Sequence, residues 1–201
     1  MRKIKTSAEL SALYGERSPA SLAKVAPHLT PLYAQWIRAA RFCILSTVGA
    51  QGVHGSPRGD DGPVVRVDGP GRLLMPDWRG NNRLDCLQDI VSDGRIAMLF
   101  LVPGVKTTVR VNGTAWLTDD ETLRTSFARK TILPASVIVL DIAEVYTQCT
   151  KALIRSGLWT RDDAGTVPTS GQILEEVTNG AITRPAFDAA YGETAQPKRL
   201  W

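Results

Sequence analysis

Apolar positions follow two different periods along the chain, and the change falls near Arg41. Before it they recur at helical steps. In Pro31 to Arg41, Leu32, Trp36 and Ala40 stand four residues apart with Tyr33 and Ile37 beside them, the broad stripe of a helix that packs on a core. Thr6 with Glu9 forms a capping box, Gly15 stops that first helix, and Ser18-Pro19 and Thr30-Pro31 each set a capping hydroxyl before a first-turn proline. Two further helices are therefore expected at Pro19 to Ala26 and Pro31 to Arg41. After Arg41 the pattern reads as strands: Phe42 to Val48, Val53 to Arg58, Pro63 to Val67, Arg72 to Met75, Arg95 to Val102, Thr107 to Leu117 and Ser136 to Thr147. Glycine-rich turns such as Gly49-Ala50-Gln51-Gly52 and Asp68-Gly69-Pro70-Gly71 separate them. Short strands at close spacing, with one helix before Arg95, predict a mainly β, α+β chain built on an antiparallel barrel, not a doubly wound parallel sheet. Arg95 to Val102 is apolar on both faces, as expected of a strand between barrel and partner. A capping box at Thr118 and Glu121 predicts a helix to about Lys130, and a short helix is expected near Gln172 to Val177.

The helix before Arg95 is unusual at its start. A β-like run to Met75 passes through Pro76-Asp77-Trp78-Arg79-Gly80 to Asn81, a good N-cap, and Leu84, Leu87, Ile90 and Val91 then mark one face of a helix over Asn82 to Val91. A helix N-terminus carries unpaired N–H groups and partial positive charge, so acidic residues normally gather there. Arg79 and Arg83 crowd it instead. Two readings stand: a phosphate lies between these cations, approached closely by the backbone of Gly80, Asn81 and Asn82, or Arg83 pairs with Asp85 or Asp89 and Arg79 is solvated.

Composition narrows the ligand class. The chain has 201 residues, 43% of them hydrophobic, enough for one domain with a real core. Its formal charge of +4 suits a small anion, but no run of basic residues marks a nucleic-acid footprint. Cys43, Cys86 and Cys149 are widely spaced and are read as reduced core thiols, without a disulfide framework or metal site. No stretch approaches the roughly eighteen apolar residues of a membrane span, and no secretory leader is evident, so a cytoplasmic protein is expected.

Conventional catalytic groups are sparse. His28 and His54 are the only histidines, with no HExxH, GxSxG, CxxC or Walker pattern, and His54 is read as a strand-end residue. Along Thr107 to Trp116, Val109, Val111 and Ala115 share one face and Thr108, Arg110, Asn112, Thr114 and Trp116 the other, which is read as a solvated face. Lys151 and Arg155 stand one helical turn apart, mildly repulsive unless an anion or acid lies between them, and Trp159 either stacks on a flat ring or packs in the core. A cofactor that brings its own chemistry answers this poverty of acids and bases.

Several motifs in one order carry a family resemblance. Cys43 to Val48, Ser56-Pro57-Arg58-Gly59-Asp60, Leu74-Met75-Pro76-Asp77, Gly80-Asn81-Asn82-Arg83-Leu84-Asp85, Leu99 to Gly104, Val109-Arg110-Val111-Asn112-Gly113 and Lys151 to Trp159 together resemble the pyridoxamine 5'-phosphate oxidase-related FMN-binding proteins, in particular an uncharacterised FMN-dependent subgroup. The resemblance implies a split β-barrel homodimer with FMN at the subunit interface. It divides the chain into an N-terminal helical extension (1–41), an FMN-binding barrel (42–159) and a C-terminal helix and tail (160–201) packing on the barrel or the partner. By resemblance, Arg58 and the turn Asn81, Asn82, Arg83 hold the FMN phosphate, and Val65, Arg66, Val67, Pro76 and Asp77 line the isoalloxazine or ribityl chain. Thr108 and Arg110 approach from the interface strand, and Lys151, Arg155 and Trp159 complete the site from the second subunit. The implied activity is an FMN-dependent oxidoreductase on a small molecule. A flavin carrier or sensor without turnover, and the same fold holding haem or a deazaflavin, remain open at this level. The tail Thr194 to Trp201 has no histidine and so departs from the substrate-gripping C-terminus of true pyridoxamine phosphate oxidases.

Overall fold

The computed structural model describes residues 1–191; the tail of the 160–201 segment beyond Tyr191, expected above to pack on the barrel or the partner, lies outside the described residues. Helices α1 (Ser7–Ser11), α2 (Pro19–Ala23) and α3 (Pro31–Ala39) form where the caps predict them. Thr6 and Glu9 make the reciprocal capping box, and the Ser18 and Thr30 hydroxyls accept from the backbone N–H of Ser21 and Tyr33. Helix α3 carries the 1–41 segment into the core, where Ile37 and Ala40 are wholly buried.

Seven strands follow: β1 (Phe42–Gly49), β2 (Gly52–Gly59), β3 (Arg66–Val67), β4 (Arg72–Asp77), β5 (Arg95–Leu101), β6 (Thr108–Thr118) and β7 (Ser136–Gln148). Every pairing is antiparallel, in the order β2-β1-β5-β6-β7-β4-β3. Alternation along the strands puts Cys43 and Leu45, Met98 and Phe100, Val109 and Val111, Ile138 and Leu140, and Leu73 and Met75 into one core with α3. The sheet curls around this core without closing its ladder. Its edge β2 returns to β4 through side chains: Arg58 Nη1 donates to Asp77 Oδ1 at 2.5 Å, and Trp78 Nε1 donates to Asp60 Oδ2 at 3.0 Å. That seam is the split in the barrel.

Local geometry overrides several expectations. Helix α4 is Asp85–Ser92 and begins after Leu84 with no side-chain cap, because Asn82 takes a left-handed conformation (φ 59°) that ends any helix there. Asn81 instead folds its own turn, its Oδ1 accepting from Arg83 N–H at 3.0 Å. Thr118 ends β6, and Asp120 caps the short helix α5 (Glu121–Thr125), accepting from Leu123 N–H at 2.7 Å. The chain leaves α5 into a bridge between Arg129 and Ile132, with Lys130 at φ 55°, so no helix reaches Lys130. Only Arg66–Val67 of the expected Pro63–Val67 strand finds a partner, in β4. Cys43 and Cys86 are buried, but Cys149, just beyond β7, is exposed and is no core thiol. Beyond it lie α6 (Lys151–Ser156), closed by a left-handed Gly157, then α7 (Ser170–Val177) and α8 (Arg184–Tyr191), which pack on each other. Helix α8 was not foreseen; Pro185 in its first turn, with Phe187 and Tyr191 four apart and stacked at 5.4 Å, is the pattern that announces it.

Candidate functional site

A cleft of about 890 Å³ opens along the seam, between the end of β2, the end of β4 with the turn that follows, and the start of α4. Extension along β2 turns Ser56 and Arg58 to the inner side, while Pro57 faces out. Arg58 is the best-built residue of the cleft. One guanidinium nitrogen holds Asp77, and its Nε–H, fully buried, has no acceptor. A buried donor left unpaired costs about 1–3 kcal/mol, so this nitrogen is a place for a ligand oxygen. Asp77 lies at the C-terminal end of β4, next to Pro76, which stays in the ladder opposite Val137.

The turn Arg79 to Arg83 forms the outer wall. Arg83 follows the local alternative in this structure: its Nε donates to Asp85 Oδ2 at 2.6 Å, with the side chain 77% exposed. Ion pairs so exposed contribute little, so exchanging Asp85 for a ligand phosphate costs little. Six of the expected site residues therefore share one cleft: Arg58, Pro76, Asp77, Asn81, Asn82 and Arg83.

The others lie elsewhere in the protomer. Val65 is 1% exposed within the core, Val67 packs against it, and Thr108 is buried. The Arg66 guanidinium lies 4.0 Å from the Phe127 ring centroid and donates to Ser126 Oγ at 2.9 Å. Arg110 reaches Tyr146 Oη at 3.4 Å on the neighbouring strand. Lys151 and Arg155 are exposed on α6, and Trp159 Nε1 donates to the Val105 carbonyl at 2.9 Å. Trp159 is thus tied to the turn between β5 and β6 by its polar edge.

Two clusters escaped sequence reading. Asp60, at the rim of the cleft, accepts from Trp78 and Gly62 N–H and pairs with Arg129, which also holds Asp61 at 2.6 Å and lies 5.4 Å from the Trp78 ring centroid. Arg129 holds the Asp61 carboxyl below the usual carboxylate range. Behind α4, Thr47 Oγ1 and His54 Nδ1 both meet Asp89 Oδ2 at 2.7 Å. These bonds, Thr47's first, keep Asp89 below its ordinary value, and an ionised Asp89 requires the proton on His54 Nδ1. His54 stands inside β2 opposite Thr47, not at a strand end. Among the described residues no group of three or more His, Cys, Asp or Glu side chains is arranged to hold a metal, and no helix is long and apolar enough to cross a membrane.

Residues 29–149, more than half of the chain, match the protein family described as Pyridoxamine 5'-phosphate oxidase. No curated protein matches. Solved structures similar to this chain include HupZ of Group A Streptococcus, at 15% identity over 59% of this chain and 93% of that one (TM-score 0.49). A Lactobacillus delbrueckii protein provisionally described as a pyridoxamine 5'-phosphate oxidase shares 23% identity over 60% and 95% of the two chains (TM-score 0.47). An FMN-binding protein from Syntrophomonas wolfei shares 14% over 58% and 86% (TM-score 0.41). Membership rests on the match over residues 29–149, which spans β1 to the end of β7 and includes both walls of the cleft: this chain belongs to the pyridoxamine 5'-phosphate oxidase family.

Proposed function

We propose that the chain binds FMN in the seam cleft and works as an FMN-dependent oxidoreductase. The observation that carries this reading is Arg58, whose buried Nε–H lacks an acceptor beside a turn of backbone amides and a second, exchangeable arginine. A phosphate oxygen satisfies that donor, and guanidinium groups suit phosphate geometrically. Arg58, Arg83 and the Asn81-Asn82 backbone would hold the phosphate, and Met75, Pro76 and Leu87 offer apolar contact farther in. Bound FMN supplies two-electron chemistry between a small organic donor and an acceptor. The protein's part is to hold, orient and desolvate the group. The second half of the site is proposed to come from another copy of the chain, with Lys151, Arg155 and Trp159 reaching the cleft of the first.

Purified protein should show a flavin absorption spectrum or acquire one on addition of FMN, and Arg58→Gln should weaken FMN binding by about tenfold or more, the equivalent of one charge-assisted hydrogen bond. A protein that takes up no FMN, or an Arg58→Gln variant of native circular dichroism with unchanged affinity, would overturn the reading. Anaerobic bleaching of the bound flavin by a reduced nicotinamide separates an oxidoreductase from a carrier that is not reduced.

A further inference from the structure

Among the described residues, side-chain hydrogen bonds tie helix α4 to the sheet at Asp89 alone. The start of the helix has no side-chain cap, and the turn before it, through the left-handed Asn82, makes the outer wall of the cleft, to which Leu84 and Leu87 also belong. Farther along, Asp89 meets the β1–β2 hairpin. It is 6% exposed, and one oxygen, Oδ2, accepts from Thr47 Oγ1 and from His54 Nδ1, each at 2.7 Å. Thr47 and His54 are direct partners across the two strands, so both donors come from one rung of the ladder. The helix fits closely against this hairpin. A Cβ on Gly49 would lie 2.0 Å from Asp89 Oδ1 and 2.8 Å from its Cγ, and Gly49 has no positive φ, so room for this carboxylate, not backbone freedom, asks for glycine there.

Lifting α4 off the hairpin breaks both bonds at once and leaves two buried donors and a carboxylate to find other partners. Asp89 lies about 7–8 Å along the helix from Leu84, so a helix that moves at Asp89 carries the wall of the cleft with it. We propose that Thr47, Asp89 and His54 form a latch that holds α4 closed on the sheet, and that the latch and a ligand in the cleft stabilise the same closed position. The three are positioning residues: none of them lines the cleft, and they act on it through α4. Two cysteines separate this motion from general loosening. Cys86 is buried on α4 itself and is uncovered when the helix opens, whereas Cys43, 0% exposed in β1, reports on the barrel. On the reading that the cleft holds FMN, that cofactor is the ligand coupled to the latch.

The test follows modification of the native protein by a maleimide, with the modified cysteines located by peptide mass. Cys149 reacts first, and Cys86 follows slowly as α4 opens. Thr47→Val nearly keeps the side chain's volume and removes one donor, so Cys86 should react about tenfold faster with Cys43 still protected, the effect of one lost bond to a charged group. Thr47→Ser should restore the wild-type rate, and His54→Leu should act as Thr47→Val does. FMN at about ten times its dissociation constant should slow Cys86 about tenfold, in the wild type and in Thr47→Val alike. The proposal is overturned when Thr47→Val leaves the Cys86 rate unchanged, when Cys86 and Cys43 gain reactivity together, or when FMN binds without slowing Cys86. A protein that takes up no FMN, yet whose Cys86 alone is freed by Thr47→Val, leaves the latch standing and overturns the FMN reading.

Discussion

Gly113 sits where β6 and β7 change register, and a single methyl there tests how the barrel bends. Asn112 pairs with Glu144 and Gly113 with Ile142, so Ala143 is the extra residue of a bulge. A Cβ on Gly113 would lie 2.0 Å from the Asp141 carbonyl oxygen and 3.3 Å from Ala143 N. Both are backbone atoms inside the longest ladder of the sheet, so no side-chain rotation relieves the contact. The carbonyl must retreat by more than about 1 Å to reach ordinary van der Waals separation. That movement strains the bond from Ile142 N–H to the Gly71 carbonyl, now 2.8 Å, together with the ladder bonds beside it. One or two lost backbone bonds at about 0.5–1.5 kcal/mol each, with about 1–3 kcal/mol of strain, put Gly113→Ala at about 2–4 kcal/mol destabilising. For a chain of this size that lowers Tm by roughly 5–15 °C. Gly55→Ala is the matched control: the residue lies in β2, nothing stands within 4 Å of the new methyl, and its φ is not positive. It should leave stability within about 0.5 kcal/mol or raise it slightly. Urea unfolding measures both. A Gly113→Ala loss below about 1 kcal/mol, or equal effects at the two positions, would refute the argument that backbone contact at the bulge sets the cost.

Acid should act partly through Asp89. Its folded-state value lies below the unfolded one, so its stabilising contribution is complete above the unfolded value, about 3.9, and is lost as pH falls below it. Urea midpoints between about pH 3 and 6 should therefore fall more steeply for the wild type than for Asp89→Asn. Cys43 is pushed up to about 12 by burial, and Cys86 is buried too, so under native conditions a thiol reagent should titrate only Cys149 of the three cysteines, and all three after denaturation. Phe100, wholly buried near the C-terminal end of β5, should cost about 3–5 kcal/mol when replaced by alanine, read from the same denaturant curves.

Most elements were legible because their signals are local. A capping hydroxyl two to three residues before its N–H partner, or a valine alternating with a polar residue, needs no knowledge of the rest of the chain, and Thr6, Ser18, Thr30 and β6 are examples. The start of α4 failed because Asn81 satisfies both a helix cap and a free-standing turn, and the left-handed Asn82 decides for the turn. Arg58 and Asp77 were named by the family resemblance, but not their mutual bond across the seam. The Asp60–Trp78–Arg129 cluster joins residues 18 and 69 positions apart, and Asp89 finds Thr47 and His54 from 42 and 35 away. Apart from Trp78, each of those residues is an ordinary polar type that by itself signals no partner. Only the curl of the sheet makes them neighbours.

The seam also orders events in time. Strand β2 is complete by Gly59, yet β4, its neighbour across the seam, is held in the sheet by β7, which begins only at Ser136. Both walls of the cleft therefore come together after the most sequence-distant ladder has zipped, the slow step for a chain dominated by non-local pairing. A ligand spanning Arg58 and the Asn81 to Arg83 turn meets no formed site in the collapsing chain. It can staple the two edges of the sheet only once they have met, so its stabilisation should appear as slower unfolding and leave the folding rate unchanged.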